Sequence, residues 1–448
     1  MSRTRHRTQP RTRRPLLAAT MIVKNEAENL PHILASIAGV VDEVVVYDTG
    51  STDDTVAIAR AAGCRVHLGY WDDDFSRARN AALELARAEW ILVVDGDDRL
   101  VGNGPALRAY LSGDTGAFPG APPARAIDFI QLRVLNVSAS DEERHSLLSL
   151  RIARRDRVRW HGRVHEMLQV HGNAPGTGRT LLLAPQVLHI RHSGYNDEAL
   201  RREKGKRNLA LAQAQVDDLV TGLDGSGEQD PAAASRAVLD LGRSLLMVGR
   251  RQEAVEAFET VREIAAGGVL QAQAVALLAQ TLLDNGGHDE AALCLVDELR
   301  RGGCASTQFC DWLAAQGLAR TGRRAEALEL LRGIDDVVEP VGNRLTLEPV
   351  MLARVIYAGA EGLIEEAGEV LADCLAQFGP HYDNAAFLLR LWRGREAALA
   401  ARLAASSGAF VADLLAALRR VGEAGAHVAD LVDTLSAAAD PVPADAIG

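Results

Sequence analysis

Residues 90–99 read Trp-Ile-Leu-Val-Val-Asp-Gly-Asp-Asp-Arg, five apolar residues running into three carboxylates within four positions. A short apolar run closed by turn residues is the pattern of a strand buried on both faces. Asp95 and Asp97, one residue apart at the carboxyl end of that strand, can jointly hold a hard divalent cation. Taken alone, the same residues also read as an acidic turn that caps a helix.

Outward from this run, residues 16–23, 43–48 and 65–68 repeat the buried-strand pattern. Helical patterns over 26–37, from the Gly-Ser-Thr-Asp turn to about 62, and over 75–87 lie between them. Strands alternating with helices of this length predict βαβ units and a mainly parallel sheet. Ligands of such sheets sit outside the carboxyl ends of the strands, which is where Asp48 and Asp95 fall. Residues 112–125, rich in Gly, Pro and Ala, predict a surface loop, and five strand-like segments follow (127–135, 147–153, 157–160, 166–170 and 186–190). From residue 196 onward the pattern is helical, broken at 221–231 by a linker-like stretch.

The C-terminal half repeats itself. GRRQEAVEAF (249–258), GGHDEAALCL (286–295) and GRRAEALELL (322–331) align on Ala254, Ala291 and Ala327, and a weaker fourth unit covers 362–371. Leu241, Gly242 and Leu245, then Ala254 and Phe258, follow the small-then-large order of a tetratricopeptide repeat. Stacked units of this kind form curved surfaces that bind peptides or proteins.

Composition bounds the reading. A chain of 448 residues predicts two domains. With 48% hydrophobic and 24% charged residues it is ordinary for a globular protein. A net charge of −11 argues against nucleic-acid binding. The first fourteen residues hold six arginines and no acid, and with nothing there to build a core they read as a disordered basic tail. Five cysteines without metal-ligand spacing fit a reduced, cytoplasmic compartment. No apolar run approaches the roughly 20 residues of a membrane span.

Four motifs carry a resemblance: TMIVKNEAENL (20–30), VVVYDTGSTDDT (44–55), FSRARNAAL (75–83) and WILVVDGDDR (90–99). In this order and spacing they resemble the GT-A fold of the family 2 glycosyltransferases. The resemblance covers about residues 16–200, and Lys-Asn-Glu is characteristic of a branch that includes soluble enzymes with tetratricopeptide tails. Among these are transferases acting on lipopolysaccharide cores or peptide side chains.

The resemblance implies an inverting transferase using Mg²⁺ or Mn²⁺ and a nucleotide-sugar, first of all a UDP-sugar. It places Asn25, Glu26, Asp48 and Asp53 at the nucleoside and Arg79 and Asn80 near the sugar or diphosphate. Asp95 would bind ribose and metal, Asp97 the metal, and His192 of His-Ser-Gly-Tyr could complete the metal site. Arg202 or Lys206 would offset leaving-group charge. An inverting transferase needs a carboxylate to deprotonate its acceptor. Glu166, in Trp-His-Gly-Arg-Val-His-Glu, is the first candidate for this base and Asp98 the reserve.

Departures matter too. Arg159-Trp160 is preceded by Asp156 rather than the Gln of processive polymerases, and spans are absent, so transfer of one or a few sugars is expected. Thr49 stands where many relatives have a second Asp. The expected organisation is a basic tail (1–15), a GT-A domain with a mixed, mainly parallel sheet (16–220), an all-α tetratricopeptide-like domain (232–430) and a flexible C-terminus (431–448). The acceptor could be a peptide or protein held by the repeats, a glycan or a natural product; the repeats could instead build a homodimer. The alternative from another class is a catalytically inactive nucleotide-binding domain on a protein-interaction scaffold. A nucleotidyltransferase or an NAD-dependent enzyme fits less well, because Lys-Asn-Glu-Ala-Glu-Asn occupies the place of a Gly-rich phosphate loop.

Overall fold

The computed structural model describes residues 14–137, 143–172, 178–184, 187–193, 198–221, 231–265, 267–380, 384–406, 408 and 410–439. The basic tail up to residue 13, the linker at 222–230 and residues 440–448 lie outside them.

The N-terminal half alternates as expected: β1 (Leu17–Val23), α1 (Leu30–Ile37), β2 (Glu43–Asp48), α2 (Thr55–Ala61), β3 (Arg65–Leu68), α3 (Phe75–Leu85) and β4 (Trp90–Val93). Next come β5 (Asp98–Gly102), α4 (Gly104–Leu111), β6 (Phe129–Val137), β7 (Glu143–Arg154), β8 (Val158–His161), β9 (Met167–Val170), β10 (Thr180–Leu182) and β11 (Leu188–His192). Among the described residues the main sheet runs β3-β2-β1-β4-β7-β6-β11-β5, with β10 beside β6, while β8 and β9 form a separate hairpin. β1 lies parallel to β2 and β4, and β7 antiparallel to β4 and β6. The sheet is mixed and mainly parallel.

The central strands read as unbroken apolar runs because helices cover both faces. One face packs Leu17, Met21, Trp90 and Leu92 against Ile33 and Ile37 of α1 and Leu107 and Tyr110 of α4. The other packs Ala18, Val45, Ile91 and Val93 against Leu83, at the end of α3. Two elements escape the sequence pattern. The polar pair Asp98-Arg99 opens β5, and Gly104-Pro105 opens α4. α1 also begins later than residue 26, because Asn25 takes a positive φ of 58° and the chain turns there.

The C-terminal half is helical. α5 (Glu198–Thr221), α6 (Pro231–Met247), α7 (Arg251–Ile264), α8 (Gly268–Asn285), α9 (Asp289–Gly302), α10 (Thr307–Arg320), α11 (Arg324–Arg332), α12 (Glu348–Ala360) and α13 (Ile364–Phe378) pack consecutively. α14 (Asn384–Leu391), α15 (Glu396–Ala404), α16 (Val411–Val421) and α17 (Glu423–Ala439) close the chain. No helix among the described residues is long and apolar enough to cross a membrane.

The repeat is present, but its register differs by one residue in the second unit. Ala254, Ala292, Ala327 and Ala367 are the equivalent positions. Each is buried and donates its N–H to the carbonyl of the residue just before its helix. Ala291, expected in that place, is exposed. The reason is local: two glycines, Gly286 and Gly287, precede α9, both at positive φ, and it is Gly287 that matches Gly249, Gly322 and Gly362, each five residues before its buried alanine. The small-then-large pairing is real, since a Cβ on Gly242 of α6 would stand 2.4 Å from the ring of fully buried Phe258 on α7. Emptying the Phe258 position would cost about 3–5 kcal/mol.

The last helix also runs past residue 430. Val428, Ala429 and Val432 are buried against α15 and α16, which holds α17 helical to Ala439.

The two halves touch at Arg133 and at Val164. Arg133 of β6 is buried, donates to the Phe378 carbonyl at 3.3 Å, and lies over the rings of Phe378 and Phe410. Val164 packs with Leu211 and Ala212 of α5 and with Leu241 of α6.

Candidate active site at the carboxyl end of the central strand

Three loops meet beyond β1, β2 and β4. The first carries Lys-Asn-Glu and is tied to the second by hydrogen bonds from backbone N–H groups to side-chain oxygens. Asn25 Oδ1 accepts from Thr52 N at 2.8 Å, Asn25 N donates to Ser51 Oγ at 2.9 Å, and Ala27 N donates to Asp53 Oδ2 at 3.1 Å. A hydrogen bond from Thr55 holds the Asp53 carboxyl below its ordinary range. Asn25 and Asp53 therefore build the rim of the cleft.

Asp48 is different. It is buried, and its Oδ1 accepts from Gly50 N and Ser51 N at 3.1 and 3.0 Å, while Oδ2 is buried without a hydrogen-bond partner. A buried carboxylate oxygen left without a donor is costly unless a ligand supplies one.

The Asp95-Gly96-Asp97-Asp98 turn lies opposite. Gly96 lets the Glu26 side chain lie against this turn, since a Cβ there would stand 2.4 Å from Glu26 Cδ. Burial pushes the Glu26 carboxyl up, and Asn29 opposes this by donating to its Oε2 at 2.9 Å. Asp95 is gripped by two arginines, Arg79 Nη2 at 2.8 Å from Oδ1 and Arg151 Nη1 at 3.0 Å from Oδ2. Although burial opposes it, the two guanidinium groups hold the Asp95 carboxyl far below the usual range.

Asp98 is fully buried, with Oδ2 accepting from Asp95 N and Arg151 and Oδ1 lying 2.9 Å from His192 Nδ1. That nitrogen also stands 3.2 Å from Asp97 Oδ1, and Lys204 Nζ stands 3.7 Å from Asp97 Oδ2. Asp97, Asp98 and His192 thus bring three donor atoms within 4.8 Å of one another, a set that fits a divalent ion. Burial, followed by the Asp95 and Asp98 charges, pushes the Asp97 carboxyl up against the pull of His192 and Lys204. A cation would relieve that surplus negative charge.

Arg79 also joins this cluster to Glu166. It is a buried guanidinium on α3 whose Nε donates to Glu166 Oε1 at 2.7 Å, with its plane 4.9 Å over the Trp160 ring. Asn80, one residue on, turns the other way. Its Nδ2 and Oδ1 are both spent on the Trp160 backbone, at 2.9 and 3.0 Å. Both ends of its amide are engaged there, so it anchors β8 to α3.

The loop that carries Glu166 rests on the repeats. His165, at φ 52°, places Nε2 2.9 Å from Ser244 Oγ on α6, and burial lowers its pKa to about 4. Asp240, also on α6, is buried with Oδ2 unpartnered, and burial raises its pKa to about 7.

Sequence reasoning missed two residues. Arg151 was legible as an arginine inside the apolar strand LLSLRIA, since a buried guanidinium requires an acidic partner. Lys204 lies between the two basic residues expected to serve the site. Two positions along a helix is about 200° of rotation, so Lys206 faces outward and pairs instead with Glu203.

Parts of the chain are similar to known proteins. Residues 19–102 match the model of glycosyl transferase family 2. The chain is 29% identical over 208 residues to the SPbeta prophage-derived glycosyltransferase SunS of Bacillus subtilis, covering 45% of each chain. It is 53% identical over 81 residues to a TPR repeat-containing protein of Synechococcus elongatus, covering 18% of this chain and 20% of that one. The matches thus span less than half the length of these relatives. Among solved structures, that of MamA aligns over 40% of this chain and 93% of its own, with TM-score 0.28 and 12% identity. Residues 19–102 are thus similar to the family 2 glycosyltransferases, and the chain that carries them continues into tetratricopeptide-like helical repeats.

Proposed function

We propose that this chain is an inverting, metal-dependent glycosyltransferase that moves one sugar at a time from a nucleotide-sugar, first of all a UDP-sugar, to a peptide, glycan or natural-product acceptor. The observation that carries this reading is the grouping of Asp97, Asp98 and His192 at the end of β4, with Lys204 beside it. Asp97 and His192 would hold Mg²⁺ or Mn²⁺, and Asp98 orients the imidazole through Nδ1. When bound, such an ion neutralises the diphosphate leaving group.

The residues of the chain divide the remaining work. The unpartnered Asp48 Oδ2 would accept a hydrogen bond from the nucleoside, inside the rim built by Asn25 and Asp53. Glu26 and Asp95 would line the path from nucleoside to sugar, Asp95 held in place by its two arginines. Lys204 would face the diphosphate.

Glu166 would take the proton of the acceptor hydroxyl or thiol as that atom attacks the anomeric carbon. The bond from that carbon to the diphosphate oxygen breaks, and the nucleoside diphosphate leaves. Arg79 directs Glu166 by holding Oε1. Asp98, buried with both oxygens engaged, positions its neighbours; we therefore assign the base to Glu166 alone.

The test is donor hydrolysis by purified protein across UDP-, GDP- and dTDP-sugars, with and without Mn²⁺, for the wild type and Asp97→Ala. Metal-dependent hydrolysis of one donor, lost in the variant, is the expected result. No binding and no turnover across the panel would overturn the assignment.

A further inference from the structure

Glu166 lines a chamber of about 210 Å³ whose far wall comes from the repeat half. The loop between α11 and α12 is pinned by a bridge between Val338 and Arg344 and by hydrogen bonds between Glu339 and Asn343, and it presents Val341, Gly342 and Asn343 to the chamber. A space of this size lies below the usual range for a whole small ligand, so it admits little more than one side chain or one sugar ring.

The chamber is not closed. Asn343 also lines a second cavity of about 340 Å³, and Leu148 of β7 lines both of these and a third of about 650 Å³. The three adjoin one another along Leu148, between the face of the sheet and the repeats, with Glu166 at one end. The outer part of this groove has Leu148 and Leu182 on the sheet side and Leu345, Leu347 and Met351 on the repeat side. Its acidic groups are engaged, Asp336 with Arg344, Asp373 with Arg402 and Asp335 with Gln308, and Thr346, Gln377 and Ser406 add neutral polar groups. A glycan would need rows of hydrogen-bonding groups along such a groove. A leucine-rich wall dotted with neutral polar groups, its acids already engaged, instead suits the side chains and backbone of an extended polypeptide.

We propose that this groove is the acceptor site, and that its occupant is an extended polypeptide segment with neutral, apolar residues flanking the modified side chain. The Ser, Thr or Cys to be modified enters the chamber at Glu166 and the flanking residues lie along Leu148, Leu182 and Leu345. This assignment rests on the transferase reading above. The repeat half, through Val341–Asn343, forms one wall of the acceptor pocket.

The experiment uses the full chain and two variants in the outer groove, Leu182→Arg and Thr346→Trp. Side chain 182 is partly exposed and 346 half-buried, so neither belongs to the core. Two readouts are taken with the donor that the wild type hydrolyses. One is hydrolysis to water. The other is transfer to degenerate synthetic nonapeptides with a central Ser, Thr or Cys and either apolar or acidic flanks, with free monosaccharides as competing acceptors.

The expected result is transfer to apolar-flanked peptides, reduced at least tenfold in kcat/KM by each variant, with donor hydrolysis within twofold of wild type. Equal peptide transfer by wild type and variants overturns the proposal. So does donor hydrolysis with transfer to monosaccharides alone, or with no transfer to any peptide; in these cases the transferase reading survives. Absence of both hydrolysis and transfer in the wild type removes the transferase reading, and the acceptor groove with it.

Discussion

Arg79 reaches Asp95 Oδ1 through Nη2 at 2.8 Å and Glu166 Oε1 through Nε at 2.7 Å, so one guanidinium fixes the distance between the acidic turn and the candidate base. Lysine cannot reproduce this fork. Arg79→Lys is expected to lower kcat on the order of 100-fold while leaving donor KM within a few-fold, since misplacement of about 1 Å costs that much. Arg79→Met should also destabilise the fold, by up to about 3–5 kcal/mol, because it leaves Glu166 without its cationic partner and Asp95 with Arg151 alone. Steady-state kinetics and urea unfolding check the two effects. Unchanged kcat in Arg79→Lys would show that the fork is not used.

Metal binding should follow the arrangement around His192. Calorimetric titration with Mn²⁺ is expected to show one site in the wild type and none in Asp97→Ala. Asp98→Asn, which loosens the imidazole through its 2.9 Å contact, should weaken the site about 10–100-fold without abolishing it. Chelation of the ion should stop donor hydrolysis reversibly. Equal affinity in wild type and Asp97→Ala would move the ion elsewhere.

Asp48 offers a test of nucleoside recognition. Asp48→Asn retains an oxygen for Gly50 and Ser51 but replaces the unpartnered Oδ2 with a donor. Loss of a hydrogen bond to a charged group, about 1.5–3 kcal/mol, predicts at least a tenfold rise in donor KM with little change in kcat. A binding curve for the free nucleoside diphosphate should shift by the same factor. If nucleotide affinity is unaltered, Asp48 serves only its turn.

The contact between the halves should give stability an unusual pH dependence. Burial raises Asp240 from 3.8 to about 7, so the folded chain holds a proton there that the unfolded chain releases. That contribution destabilises the fold as pH rises from about 4 to 7, by about 1.4 kcal/mol per pH unit within the window. Burial lowers His165 from 6.5 to about 4, so its contribution has the opposite sign, lost as pH falls from 6.5 towards 4. Asp240→Asn removes the first and leaves the second. Denaturant midpoints between pH 4.5 and 7 should therefore rise more steeply with pH in the variant than in the wild type. Parallel curves would show that Asp240 ionises normally.

The features legible in the sequence were those that depend on neighbours along the chain. The apolar runs of β1, β2 and β4 and the carboxylates at their ends follow from periodicity and turn chemistry. So does Phe258 against Gly242, because both lie within one helical pair. What escaped depends on partners far along the chain. Arg151 belongs to the site only because β7 returns beside β4, and Asn80 is held by the Trp160 backbone only because β8 folds back on α3. Lys204 rather than Lys206 faces Asp97 because tertiary packing sets the rotation of α5. The one-residue slip at Ala291 came from a two-glycine turn, where sequence similarity alone does not fix the gap.

Glu166 sits on a loop whose neighbours His165 and Arg163 are bonded to Ser244 of α6 and Asp218 of α5. The helical half is therefore not an interchangeable adaptor. A chimera that kept residues up to the start of α5 and grafted on a foreign repeat array would lose the seat of its own base, whatever cargo the new array captured. Retargeting has to begin beyond α6, so that the first helices travel with the donor domain as one heritable unit and only the later repeats are free to diversify.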